Sequence, residues 1–185
     1  MSDRKKIQLP LTPEDVESLK AGDRVLLSGP MFVGRDQAHK RLVDLVEEGG
    51  ELPFDIEGET IYFAGPSPAK PGQVIGSCGP TTSYRMDPSS PTRIALGLRG
   101  MIGQGARGEA VVDAMRKHGA VYFTAVGGAA ALIARSVTSM EVVAYEDLGP
   151  EALRRLVVKD FPAIVAQDAH GGNQYDEGAK EYARV

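Results

Sequence analysis

Past residue 90 the chain alternates helical and strand patterns, and this alternation constrains the fold more than any other feature. Helical patterns at about 91–98, 108–118, 128–135 and 149–156 interleave with strand patterns at about 99–103, 120–124, 138–145 and 162–167. Such alternation predicts an α/β sheet packed by helices. The first half holds more strand and loop. Residues 7–9, 24–28 and 59–64 read as strands, so a β/β/α layering is expected. Thr12-Pro13-Glu14-Asp15 is a helix start, with a capping hydroxyl, a proline at the first helical position and acids in the first turn. In 35–48, Ala38, Leu42, Leu45 and Val46 share one helical face. The proline-rich stretch 65–72 and the Gly/Ser/Thr/Pro-rich stretch 76–90 read as shaped loops.

One domain over 1–185 is expected, with a short lead at 1–6 and a tail at 169–185 whose Gly-rich start, 169–174, reads as mobile. Net charge is −4 with scattered cations, which favours neither nucleic acid nor an anionic membrane as partner. No apolar run approaches the ~20 residues of a bilayer span. The charged N-terminus leads into no hydrophobic segment, so no signal peptide is read and the cytoplasm is the expected setting. A single cysteine, Cys78, cannot make an intrachain disulfide or a self-contained cluster or zinc site, so no metal ligands are expected here.

Four segments could carry chemistry. In Gly34–Arg41, helical spacing puts Arg35 and His39 in line with Leu42 and Val46, on the stripe that faces the protein. They suit a structural salt bridge or cap, or a planar fork on a substrate carboxylate. In Gly76–Asp87, backbone N–H groups, the hydroxyls of Thr81 and Thr82, Arg85 and Asp87 converge. Such a loop can hold an oxyanion or simply cap the following helix. Gly103-Gln104-Gly105-Ala106-Arg107-Gly108 matches the dinucleotide-binding spacing, but no acid lies about 20 residues on for a ribose hydroxyl, which weakens a nucleotide-dependent oxidoreductase. Gly127-Gly128 opens an alanine-rich helix, suited to an anion or to tight packing. His118, at a helix end before Gly119, and His170, in a glycine-rich loop, form no metal-ligand spacing or triad, and Cys78 reads as a packed thiol.

GRDQAHKR, GPTTSYRMD, MIGQG and VGGAAALIA, followed by VVAYEDLGPEA and FPAIVAQD, occur together in order. With them the chain resembles, from about Ile7 to Asp168, the β region of class I iron–sulfur fumarases and L-tartrate dehydratases. The resemblance implies a swivelling β/β/α three-layer domain and a [4Fe–4S] cluster held by three cysteines of a separate α subunit. One open iron of that cluster would act on the departing hydroxyl of a dicarboxylate at the α–β interface. It also implies an α2β2 assembly or a β–β dimer. By position, Arg35 and Arg85 would bind substrate carboxylates, Thr81 would be the base, and Gln104 and Gly105 would contact substrate. His39, Thr82, Asp87, Gly127 and Gly128 would support them. The family commonly has a lysine between the two glycines, where this sequence has Gln104. The expected activity is reversible hydration of fumarate to (S)-malate. The alternatives are an L-tartrate dehydratase β subunit and an orphan small-anion-binding or regulatory domain without catalysis.

Overall fold

The computed structural model describes residues 4–184. Strand β1 (Lys5–Gln8) leads to helix α1 (Pro13–Ser18), strand β2 (Arg24–Gly34), helix α2 (Asp36–Glu47) and strand β3 (Thr60–Phe63). A long loop with a 3-10 turn at Ser83–Met86 follows, then helix α3 (Ser90–Ala95), strand β4 (Gly100–Gly103), helix α4 (Glu109–His118) and strand β5 (Val121–Thr124). The short helix α5 (Ala130–Ile133), strand β6 (Val137–Ala144), strand β7 (Leu153–Gln167) and helix α6 (Gln174–Tyr182) complete the chain.

The protein is mixed α/β around a seven-stranded sheet of order β1-β2-β3-β4-β5-β7-β6. Strands β1 to β5 pair in parallel, while β7 runs antiparallel to β5, β6 and β2. The β2–β7 pairing closes β2, β3, β4, β5 and β7 into a ring of hydrogen-bonded neighbours. Alternating side chains on these strands fill two separate cores, as the two-residue period of a strand requires. Val25, Leu27, Val33, Tyr62, Ile102, Phe123, Leu156 and Phe161 pack in one. Ile61, Phe63, Met101 and Tyr122 turn the other way, against Ala38 and Leu42 of α2, Ile94 of α3 and Val111 and Met115 of α4.

Local signals account for several boundaries. Thr12 caps α1 through a reciprocal pair: its hydroxyl accepts the Asp15 N–H at 3.1 Å, and the Asp15 carboxylate accepts the Thr12 N–H at 3.0 Å. Gly119 ends α4 in the left-handed region at φ 71°, with His118 in the last turn. No helix among the described residues is long and apolar enough to cross a membrane.

The segment 149–156, read from sequence as a helix, is instead the end of a 3-10 turn (Glu146–Glu151) followed by the first residues of β7. Gly149, at φ 56° and ψ −117°, breaks the helical path, and β2 and β6 pair with both sides of Leu153–Val158. Strand β2 also runs on past Ser28, through a bulge at Gly29 where φ is +121°. Of the lead 1–6, residues 1–3 lie outside the described residues, and Lys5 and Lys6 belong to β1. In the tail, Val185 also lies outside them, residues 174–182 form α6, and the stretch 169–174 is tied down. The Asp168 carboxylate accepts N–H groups of Ala21, His170 and Gly172 at 2.8–2.9 Å.

Candidate functional site

Parallel strands end together, so the loops leaving β2, β3, β4 and β5 crowd one edge of the sheet, where α/β proteins bind ligands. Arg35 follows β2, Gly65 follows β3, Gln104 and Gly105 follow β4, and Gly127 and Gly128 follow β5. The 76–90 loop is drawn to the same edge. Pro80 bridges to Ala64, the Thr81 N–H donates to the Phe63 carbonyl at 2.8 Å, and Thr82 pairs with Gln104.

Arg35 is the residue before α2, and its side chain crosses Gly65 so closely that a Cβ there would stand 2.6 Å from Arg35 Cδ. Its guanidinium lies 3.9 Å from the Glu151 carboxylate, while its Nε is buried without a hydrogen-bond partner among the described residues. Asp36, next in sequence, faces Arg85 at 3.7 Å through one oxygen, and its other oxygen is buried without a hydrogen-bond partner among the described residues. Arg85 is itself 45% exposed, leaving much of its fork accessible. Each guanidinium thus faces its own carboxylate at long range, Arg35 with Glu151 at 3.9 Å and Arg85 with Asp36 at 3.7 Å. Asp36, His39, Arg85 and Ser89 line a cleft of about 370 Å³.

Thr81 and Thr82 are half-buried, and Thr82 lies over Gly105, whose φ of +81° suits glycine. The Gln104 side chain rests on Gly127, where a Cβ would meet its Oε1 at 2.8 Å. Gly128 is exposed, with open space where a Cβ would stand. Helix α5 behind these glycines is only four residues long, not the 128–135 span read from sequence.

His39 and Asp87 lie beneath this edge. His39 is 1% exposed and packs edge-on against Phe63 at 5.3 Å. Burial, then the Arg93 charge, holds its imidazole well below its usual pKa. Asp87 accepts from Arg107 Nε at 2.6 Å and from the Gly108 N–H at 2.7 Å. The start of α4, where the glycine-spaced segment would have held a phosphate, is therefore filled by a protein carboxylate. Two buried arginines, Arg93 and Arg107, escaped sequence reasoning. Arg107 stands in the glycine-spaced segment, but nothing in the spacing signals an ion pair with Asp87.

His118 closes α4, and His170 Nε2 meets the Glu17 carbonyl at 3.0 Å, both away from this edge. Cys78 is buried, and burial pushes its thiol pKa up to about 12, as expected of a packed rather than reactive thiol.

Strand-end loops gather arginines and hydroxyls at one edge of this mixed α/β protein, and comparison with known proteins assigns its family. The family model described as Fumarase C-terminus matches residues 1–178, so the chain belongs to that hydro-lyase family. A protein of Methanocaldococcus jannaschii named as a putative L(+)-tartrate dehydratase subunit beta is 39% identical over 177 residues, covering 92% of this chain and 91% of that protein. A putative class I fumarate hydratase of Geobacillus stearothermophilus is 37% identical, covering 92% of this chain and 33% of its own length. The anaerobic class I fumarate hydratase of Escherichia coli K12 is 40% identical over 158 residues, covering 83% of this chain and 28% of that protein. The chain thus spans about a third of the fumarate hydratases it matches and nearly all of the tartrate dehydratase subunit.

Proposed function

We propose that this chain is the substrate-gripping β part of an iron–sulfur hydro-lyase that reversibly hydrates fumarate to (S)-malate. The observation that carries this reading is that Arg35 and Arg85, from loops at the same sheet edge, meet carboxylates only at 3.7–3.9 Å, and that Arg35 Nε is buried without a hydrogen-bond partner among the described residues. A buried donor without an acceptor is costly, and a substrate carboxylate would satisfy it. Arg35 and Arg85 grip the carboxylates. Thr81 Oγ1 exchanges the proton at the carbon next to the one that bears the hydroxyl. A threonine hydroxyl is a poor base unaided, so the nearby cations must favour its deprotonated form. Gln104 and Gly105 border the substrate, and Thr82, Gly127 and Gly128 shape the loops around it.

The chain's own residues do not fit an iron–sulfur cluster. It has one cysteine, and among the described residues no group of three or more His, Cys, Asp or Glu could hold a metal. In this reading the [4Fe–4S] cluster belongs to a partner α subunit, and activity requires that partner. Val126 and Leu132, 63% and 61% exposed beside Gly127 and Gly128, support a covering partner on this edge. The two cores on opposite faces of the sheet support a swivelling β/β/α arrangement, and an α2β2 assembly or β–β dimer in the cytoplasm completes the proposal.

L-tartrate is the second substrate reading, favoured by near full-length similarity to a protein named as a tartrate dehydratase subunit. The test is to combine the chain anaerobically with a cluster-bearing α subunit and assay fumarate, (S)-malate and L-tartrate. Turnover of fumarate supports the first reading and of L-tartrate alone the second. A cluster-loaded pair that turns over none of them leaves the orphan anion-binding domain as the better account.

A further inference from the structure

The loops of the candidate site rest on a buried polar layer that the proposed reaction does not use. Arg93 is 1% exposed and Arg107 7%, yet among the described residues only one carboxylate, Asp87, pairs with them. Buried charge is tolerated when its hydrogen bonds are satisfied, and Arg93 has a set of its own. Its Nε donates to the Ser89 carbonyl at 3.2 Å, its Nη2 to the hydroxyls of Ser89 and Ser90 at 2.9 and 3.3 Å, and its Nη1 to His39 Nδ1. A guanidinium only donates, so Nδ1 must be bare and the imidazole proton must sit on Nε2. The Ser90 hydroxyl also accepts from Arg107 Nη2 at 2.6 Å and donates to the Met86 carbonyl at 2.7 Å. One hydroxyl thereby joins both guanidiniums to the turn that carries Arg85.

Each member of the layer bears on a site loop. The His39 N–H donates to the Arg35 carbonyl at 3.0 Å, and the His39 ring packs on Phe63, whose carbonyl holds the Thr81 N–H. The Arg107 guanidinium lies 5.2 Å from the ring centres of both Phe63 and Tyr122. The Tyr122 hydroxyl lies 2.9 Å from Ser83 Oγ and 2.7 Å from the Gly105 carbonyl.

We propose that His39, Arg93, Ser90 and Arg107 are positioning residues that hold Arg35, Arg85 and Thr81 in mutual register for a dicarboxylate, an inference that rests on the dicarboxylate reading above. Their role in this proposal is to hold the gripping groups, not to bind the dicarboxylate themselves.

Two variants and one spectrum test it. In His39→Asn an amide oxygen replaces the bare Nδ1 as acceptor for Arg93, whereas His39→Leu offers none. In the cluster-loaded pair, His39→Leu raises the KM for fumarate, or for L-tartrate if that is the substrate, by roughly tenfold or more and lowers kcat, because small misplacements of gripping groups are costly. His39→Asn recovers most of both. In the unmodified chain, nitrogen-15 NMR of the imidazole shows Nε2 protonated and Nδ1 bare, unchanged from about pH 5 to about pH 8. A His39 that titrates in that range, or carries its proton on Nδ1, overturns the network. So does a folded His39→Leu with the kinetics of an active wild type. Should His39→Leu not fold, Ser90→Ala replaces it, and an unchanged KM there is equally fatal. A wild-type pair inactive on every dicarboxylate sinks the functional reading and the positioning role with it, whereas normal kinetics in the variants sink only the latter.

Discussion

Arg35 crosses the face of Gly65 with no room for a β-carbon, which would stand 2.6 Å from its Cδ and 3.3 Å from its Nη1. Gly65→Ala must therefore push the guanidinium off its present path. The expected outcome is a loss of dicarboxylate affinity of about tenfold, or about 1.4 kcal/mol, with little change in melting temperature. Calorimetric titration of the paired enzyme measures the first and a thermal melt the second. Unaltered affinity would mean that Arg35 does not grip substrate.

Thr81 is tied by its backbone to Phe63 and Gln104, while its hydroxyl makes no hydrogen bond within 3.5 Å among the described residues. Thr81→Ala should leave the loop in place and remove only the proton-transfer group. A fall in kcat of roughly 10²–10⁴-fold is expected, with KM changed much less. Steady-state kinetics of the reconstituted pair decide it, and a variant that keeps near-normal kcat excludes Thr81 as the base.

Arg107 has a fully buried side chain, and its only carboxylate partner among the described residues is that of Asp87 at 2.6 Å. Asp87→Ala would leave that charge uncompensated and uncap α4 at Gly108. Removing one partner of a buried pair costs about 3–5 kcal/mol. Urea unfolding of the chain reads this directly, and a loss below about 1 kcal/mol would show that Arg107 finds other compensation.

Acid stability should carry the signature of His39. Burial and the Arg93 charge, with a smaller contribution from Arg107, hold its folded pKa well below the unfolded value, against a weaker opposing effect of the Gly34 backbone. The unfolded chain therefore binds a proton first as pH falls. The stabilising contribution is complete above about pH 6.5 and is lost as pH drops through that value, by at most about 1.4 kcal/mol per pH unit, until the folded pKa is reached. Urea midpoints measured from neutral to mildly acidic pH should show this slope in the wild type and a shallower one in His39→Asn. Equal slopes would locate the acid sensitivity elsewhere.

Local chemistry was legible in the sequence wherever it governed the structure. The Thr12 cap and the Gly119 stop of α4 are decided within a few residues and appear as read, whereas of the apolar stripe of α2 Ala38 and Leu42 are buried and Leu45 and Val46 stay half-exposed. The stretch 149–156 was not legible, because Glu151–Leu156 carries a helix-compatible pattern that pairing with β2 and β6 overrides. Gly29-Pro30 looks like a strand end, yet the bulge at Gly29 lets β2 continue, and Pro30 stands opposite Val157 in β7. At the site, Arg35, Thr81, Arg85 and Gln104 were readable as a set of motifs. The Arg93–Ser90–Arg107 layer was not, since contacts among residues 39, 90, 93 and 107 depend on α2, α3 and the turn before α4 meeting over one face of the sheet.

The ring closed by β2 and β7 ties the fold to a late event. Arg24 stands opposite Ile164, partners separated by about three quarters of the chain, so their loop-closure entropy must be met before any of their hydrogen bonds form. Until β7 docks, the long side of β2 and the outer side of β5 are open strand edges of the kind that recruit other chains. The same strand that borders the finished site thus also covers the strand edges that the chain would expose before its ends have met.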